Sequence, residues 1–248
     1  MPRLFKTILP RIKKSLNERG VMATLFRGVL LPVHLYREHR TAKALAGEQR
    51  RSEFDLAHGV ETDGDLGGWT YLSDLDIPSA NWIYGRNYAG TEPERFAAVL
   101  ASLPISFEEF EFVDFGSGKG RVLLMASELP FKKIVGIEFS PELHAIARQN
   151  IAKYSSPGQR RKSIESVCMD FVEFELPPEP CVLYFFDPCE ARVMNQVLER
   201  IRRSLRKNPR KIYLVYVAPS NERLLDCADF LRKANENEAF NFRVYESI

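Results

Sequence analysis

Residues 111–121 read E-F-V-D-F-G-S-G-K-G-R, and the fold turns on how this stretch is read. Phe110, Phe112, Val113 and Phe115 form a short, nearly continuous apolar run, of the kind buried on both faces of a parallel sheet. Glycines follow at alternate positions, Gly116, Gly118 and Gly120, and Val122-Leu123-Leu124-Met125-Ala126 then opens an apolar run suited to a helix. Strand, glycine turn and helix make the first half of a βαβ unit of the nucleotide-binding kind. The spacing is G-x-G-x-G, not the G-x-G-x-x-G of dinucleotide sites, and Asp114 stands two residues before the first glycine. Glycine suits the turn because the backbone bends sharply there and a ligand can approach where a Cβ would stand. An acid at the strand end favours a cationic or amino-bearing ligand and repels a pyrophosphate.

The run D-F-G-S-G-K-G resembles motif I of the class I S-adenosylmethionine-dependent methyltransferases. The resemblance implies that Asp114 helps hold the methionine ammonium, directly or through water. It also implies that the turn of Gly116, Ser117, Gly118 and Gly120 cradles the methionine end. The alternative is a glycine turn in another Rossmann-like protein, nicotinamide reductases included, which the glycine spacing and Asp114 disfavour.

The remaining chain is read around this centre. With 248 residues, 45% hydrophobic and 27% charged, it has the length for one well-buried domain and an appendage. Four cysteines (Cys168, Cys181, Cys189, Cys227) form no C-x-x-C pair and have no histidines at metal spacing, so reduced thiols and no metal are expected. Cys168 and Cys181 lie in apolar runs and are expected in the core. Residues 1–51 carry twelve Lys or Arg against three Glu, a net of +9 in a chain of net +2, so the other residues sum to −7. The arm is too short and too charged to span a bilayer. A basic amphipathic helix there would meet an anionic membrane surface, nucleic acid or an acidic partner, or it packs on its own domain with a solvated face.

Residues 52–90 lack clean periodicity and are read as a loop-rich lid or connector, in which Trp69, Tyr71, Trp82, Tyr84 and Tyr88 cover a site or anchor the loop. A helix follows, with Thr91 as its N-cap and Pro93 in its first turn. The element Tyr88-x-x-Thr91-x-Pro93 resembles the loop before motif I in the non-SET histone-lysine methyltransferases and the mitochondrial lysine methyltransferases of ATP synthase subunit c. That resemblance implies a loop, including Thr91, folded over the cofactor.

Lys133 to Phe139 reads as a second strand ending in Glu138, 22 residues after Gly116 and close to the ~20 at which an acid reaches ribose hydroxyls. Phe139 would lie against the adenine. Ser140 and Pro141 start the next helix. A third strand, 163–170, ends in Asp170-Phe171, where the resemblance implies an acid accepting from the adenine amino group and a backbone N–H meeting a ring nitrogen. A fourth strand ends in Asp187-Pro188-Cys189-Glu190. It resembles the (Asp/Asn)-Pro-Pro-(Tyr/Phe) motif of amino-methylating enzymes, but Cys189 and Glu190 replace the residues that grip a planar exocyclic amine, which speaks against a nucleic-acid base. Asp187 and Tyr88 are the candidates to orient an acceptor. Ala191–Lys207 is a helix, 211–219 a fifth strand, 221–233 another helix and 240–246 a last strand, so one strand of the family's seven is not found.

The expected fold is α/β, a doubly wound, mostly parallel Rossmann-like sheet with an N-terminal helical extension. Its parts are a basic arm (1–51), a lid or connector (52–90) and a catalytic domain (91–248). The expected function is methyl transfer from S-adenosylmethionine to an amine, on a protein lysine or a small molecule, in the cytoplasm, with peripheral membrane association if the arm binds one. A non-catalytic cofactor-binding module is the alternative.

Overall fold

The computed structural model describes residues 52–65 and 68–248, and the expectations for the basic arm lie outside them. Seven strands form one sheet: β1 (Glu111–Phe115), β2 (Ile134–Glu138), β3 (Ile164–Cys168), β4 (Cys181–Phe186), β5 (Ile212–Val217), β6 (Leu231–Asn237) and β7 (Phe242–Ser247). Their order is β3-β2-β1-β4-β5-β7-β6, with β1 to β5 parallel and β7 antiparallel to both β5 and β6. Strands β4 and β5 at the centre are apolar throughout because both faces are covered; every residue of β5 is buried.

Among the described residues six α-helices accompany the sheet: α1 (Glu53–His58), α2 (Pro93–Ala101), α3 (Arg121–Ala126), α4 (Pro141–Lys153), α5 (Ala191–Lys207) and α6 (Glu222–Asp226). The α4 start follows its sequence signal, since the Ser140 side chain accepts from the Leu143 N–H and Pro141 opens the helix. Helix α5 buries Val193, Met194, Val197, Leu198 and Ile201 against the sheet, each contributing about 1.5–3 kcal/mol by removal from water. Among the described residues no helix is long and apolar enough to cross a membrane.

The structure corrects three expectations. The strand not found in the sequence is β6. The helix expected over 221–233 ends at Asp226, and Leu231–Asn237 pairs with β7. As an edge strand, β6 is exposed along nearly its whole length, so no apolar alternation marks it, and β7 supplies its ladder. Thr91 is not the α2 N-cap, a position held by Glu92. Its hydroxyl instead meets the buried Tyr184 hydroxyl at 3.2 Å. Cys168, expected in the core, is exposed on the edge strand β3, whereas Cys181 is buried on β4.

Strand order reverses between β1 and β4. In an open α/β sheet a crevice forms at such a point, outside the carboxyl ends of the strands.

Candidate active site

Asp114, Glu138, Asp170 and Asp187 all sit at or just beyond the carboxyl ends of parallel strands, β1 to β4 in turn. The parallel register brings their loops to one edge of the sheet. A cavity of about 420 Å³ opens there, with Gly116 on the β1 side and Pro188 on the β4 side. Glu138, Phe139, Leu143, Asp170 and Phe171 line one end, and Phe186, Asp187, Ala218 and Ser220 line the other.

The three glycines of the turn all adopt positive φ, +85° at Gly116, +54° at Gly118 and +88° at Gly120. A Cβ on Gly118 would stand 2.1 Å from two ring carbons of Tyr88. The group that needs the missing side chain at Gly118 is therefore Tyr88, while a Cβ on Gly116 would meet Pro188 across the cavity mouth at 3.1 Å.

Two buried carboxyls face each other behind the turn. Glu138 accepts from the Gly118 N–H and from the Ser140 N–H, each at 2.8 Å. Burial pushes its carboxyl up to about 7, against the pull of those donors. Asp114 is 3% exposed. Loss of solvation, and then the neighbouring Glu138, hold its carboxyl well above the usual range. The nearby Ser117 hydroxyl is buried without a hydrogen-bond partner. Such groups are costly unless something completes them.

The segment before α2 forms the front wall. It is stitched to itself by the Thr70–Tyr88 backbone pair and to the loop after β4 by Arg86 N–H to Pro188 O and Glu190 N–H to Tyr84 O. At the other end Asp170 accepts from Ser79 Oγ and Asn81 Nδ2. Thus Asp170 is at the cavity but already anchors the wall. Tyr88 also lines the cavity, but its hydroxyl donates to the Thr62 carbonyl. It is a wall residue, and its phenol is not free to orient an acceptor as expected.

Asp187 adopts φ +36° and Ala218, at the end of β5, φ +48°. Non-glycine residues in this region cluster at functional sites. The Oδ1 of Asp187 accepts from Tyr216 (2.8 Å) and from the hydroxyl and N–H of Ser220, while Oδ2 faces the Arg86 guanidinium at 3.5 Å. Cys189 is buried and its thiol is pushed up to about 12 by burial, which leaves it protonated and unreactive.

The sequence reading missed Lys119 and Arg121, both inside the quoted stretch. Each is buried. Lys119 bonds the Asp63 carbonyl and the Asp65 carboxylate. Arg121 bonds Thr62, Ser52, Asp55 and Asp63. Together they tie residues 52–65 to the glycine turn. Two cations beside glycines, with S-E-F-D and E-T-D-G-D upstream, were the available signal.

Residues 112–208 match the family model described as a methyltransferase domain. A comparison with curated protein sequences finds no match. Among solved structures, an RNA methyltransferase from Salinibacter ruber in complex with S-adenosyl-L-homocysteine is similar at 18% identity and TM-score 0.43, over 64% of this chain and 92% of that one. The magnesium protoporphyrin IX methyltransferase of Synechocystis with bound SAM is similar at 11% identity and TM-score 0.43, over 62% and 76%. The N,N-8-amino-8-demethyl-D-riboflavin dimethyltransferase of Streptomyces davawensis is similar at 16% identity and TM-score 0.46, over 62% and 53%. None of these likenesses is close enough to bear on the acceptor, and none supports a particular kinship with lysine methyltransferases. The chain therefore carries a class I S-adenosylmethionine-dependent methyltransferase domain, matched over residues 112–208 and built on the seven-stranded sheet.

Proposed function

We propose that the acceptor is an amine, held at the carboxyl end of β4, and that the residues at the ends of β1 to β3 hold the cofactor. The carrying observation is the row of acids at successive strand ends, with Glu138, Asp170 and Asp187 lining one cavity and Asp114 buried beside Glu138. The site fits S-adenosylmethionine. The Glu138 carboxylate takes the N–H groups of Gly118, Ser140 and Phe139 and so keeps one of its four acceptor positions for a ribose hydroxyl. A ligand ammonium beside Asp114 would draw its raised carboxyl back toward the ionised form, and the orphaned Ser117 hydroxyl would gain a partner. Phe139, Leu143 and Phe171 offer apolar surface to a base.

When bound, the cofactor supplies an electrophilic sulfonium methyl group. The protein's part is to align and to exclude water. The wall over residues 69–90, Tyr88 included, closes the cavity against solvent. Asp187 is fixed through Oδ1 by Tyr216 and Ser220, leaving Oδ2 beside Arg86 to accept from the acceptor's N–H and steer its lone pair toward the methyl. We infer further that residues 52–90 are part of the catalytic unit, because Lys119 and Arg121 bind them from within the glycine turn.

The test is transfer of tritiated methyl from S-adenosylmethionine to a cell extract, separated into protein and small-molecule fractions. An acid-stable N-methyl product in either fraction is expected and names the acceptor class. A product methylated on oxygen or sulfur overturns the amine reading.

A further inference from the structure

We propose that Asn81, from the wall and outside the matched domain, reads the amino edge of the cofactor's adenine together with Asp170. This deepens the cofactor reading above and rests on it.

The inference begins from acceptor positions. A carboxylate only accepts, and each oxygen has two lone-pair sites. Asp170 Oδ2 already takes two donors, Ser79 Oγ and, at 2.8 Å, Asn81 Nδ2. Its Oδ1 takes the Val172 N–H at 3.0 Å. One position on Asp170 Oδ1 remains.

The same bond orients the Asn81 amide. The half that faces the carboxylate must be the NH2, so the amide oxygen is turned the other way. That oxygen accepts no hydrogen bond among the described residues, and Asn81 lines the cavity beside Phe139, Leu143, Asp170 and Phe171. Asp170 and Asn81, bonded to each other at this end of the cavity, thus each offer one open acceptor to a base seated against Phe139 and Phe171. An exocyclic amino group carries two N–H donors and satisfies both. A 6-oxo base presents an oxygen to two oxygens. Asn81 is also held in place, since Ser79 caps its turn and the wall is stitched to the loop after β4 at Gly85–Cys189.

A site built around such donors rejects an analogue lacking them by up to about 10⁴–10⁵-fold, and Asn81 supplies part of that factor. The experiment is calorimetric titration with S-adenosylhomocysteine and with its 6-oxo analogue S-inosylhomocysteine, on wild type, Asn81→Ala, Asp170→Asn and Ser79→Ala. Wild type should prefer the adenosyl ligand by at least about a hundredfold. Asn81→Ala should shrink that preference at least about tenfold with its thermal unfolding midpoint unchanged, Asp170→Asn, which puts a donor where an acceptor stood, should shrink it too, and Ser79→Ala, which loosens Asp170 and the Asn81 turn but removes no reading group, should shrink it less than either. An unchanged ratio in Asn81→Ala, with S-adenosylhomocysteine still bound, overturns the role of Asn81 and leaves the cofactor assignment standing. Failure of wild type to bind either ligand overturns both.

Discussion

Gly118→Ala tests how the glycine turn is built. The residue has φ +54°, and the new Cβ would lie 2.1 Å from Cδ2 and Cε2 of Tyr88. Left-handed backbone costs a non-glycine residue about 1–2 kcal/mol. Relieving the overlap means moving a ring whose hydroxyl is bonded to Thr62, and overpacking of this kind costs about 1–3 kcal/mol. The sum, about 2–5 kcal/mol, is a large part of a typical domain's stability of about 5–15 kcal/mol. The overlap disappears in Gly118→Ala/Tyr88→Ala, whereas the backbone term does not. The double variant should therefore be more stable than the sum of the single effects by about 1–3 kcal/mol, read from urea midpoints at constant m. Additivity within about 0.5 kcal/mol would refute the claim that Gly118 is glycine because of Tyr88.

Arg121→Met strands the buried Asp55 and the part-buried Asp63 without their shared cation, and removing one partner of a buried pair costs about 3–5 kcal/mol; an unchanged unfolding midpoint would show the network to be dispensable. For Glu138, the folded carboxyl stands near 7, above its ordinary 4.5. Its contribution is therefore fully present below about pH 4.5 and lost as pH rises through 7. Relative to Glu138→Gln, wild type should lose up to about 3 kcal/mol of stability across that window, while its affinity for S-adenosylhomocysteine rises between pH 6 and 8; a wild-type profile that parallels the variant's would contradict the raised carboxyl. Asp187→Ala should spare cofactor affinity and lower methyl transfer at least tenfold, and normal turnover would remove Asp187 from the acceptor site.

Much of this site could be read from residue order alone. The apolar run into Gly116 and the acids at the ends of β1 and β2 follow from strands buried on both faces, and such strands announce themselves; β3, a half-exposed edge strand, was legible only from its place in the series and the acid that follows it. β6 did not, because an edge strand solvated on both sides has no apolar period to display. The occupant of the space over Gly118 was equally hidden. Positive φ says that glycine is needed but not for whom, and Tyr88 lies 30 residues upstream. The partners of Lys119 and Arg121 were invisible for the same reason, since E-T-D-G-D reads as a solvated acidic loop until the fold lays it across the turn. Asp170 was legible as a site acid, but its bonds to Ser79 and Asn81 depend on a wall segment without periodicity.

The most direct test of the central claim is calorimetric titration of the purified chain with S-adenosylmethionine, S-adenosylhomocysteine and NADPH in parallel. Micromolar binding of the first two and none of NADPH is the expected result. Binding of NADPH alone would contradict the reading of the glycine turn and of Asp114.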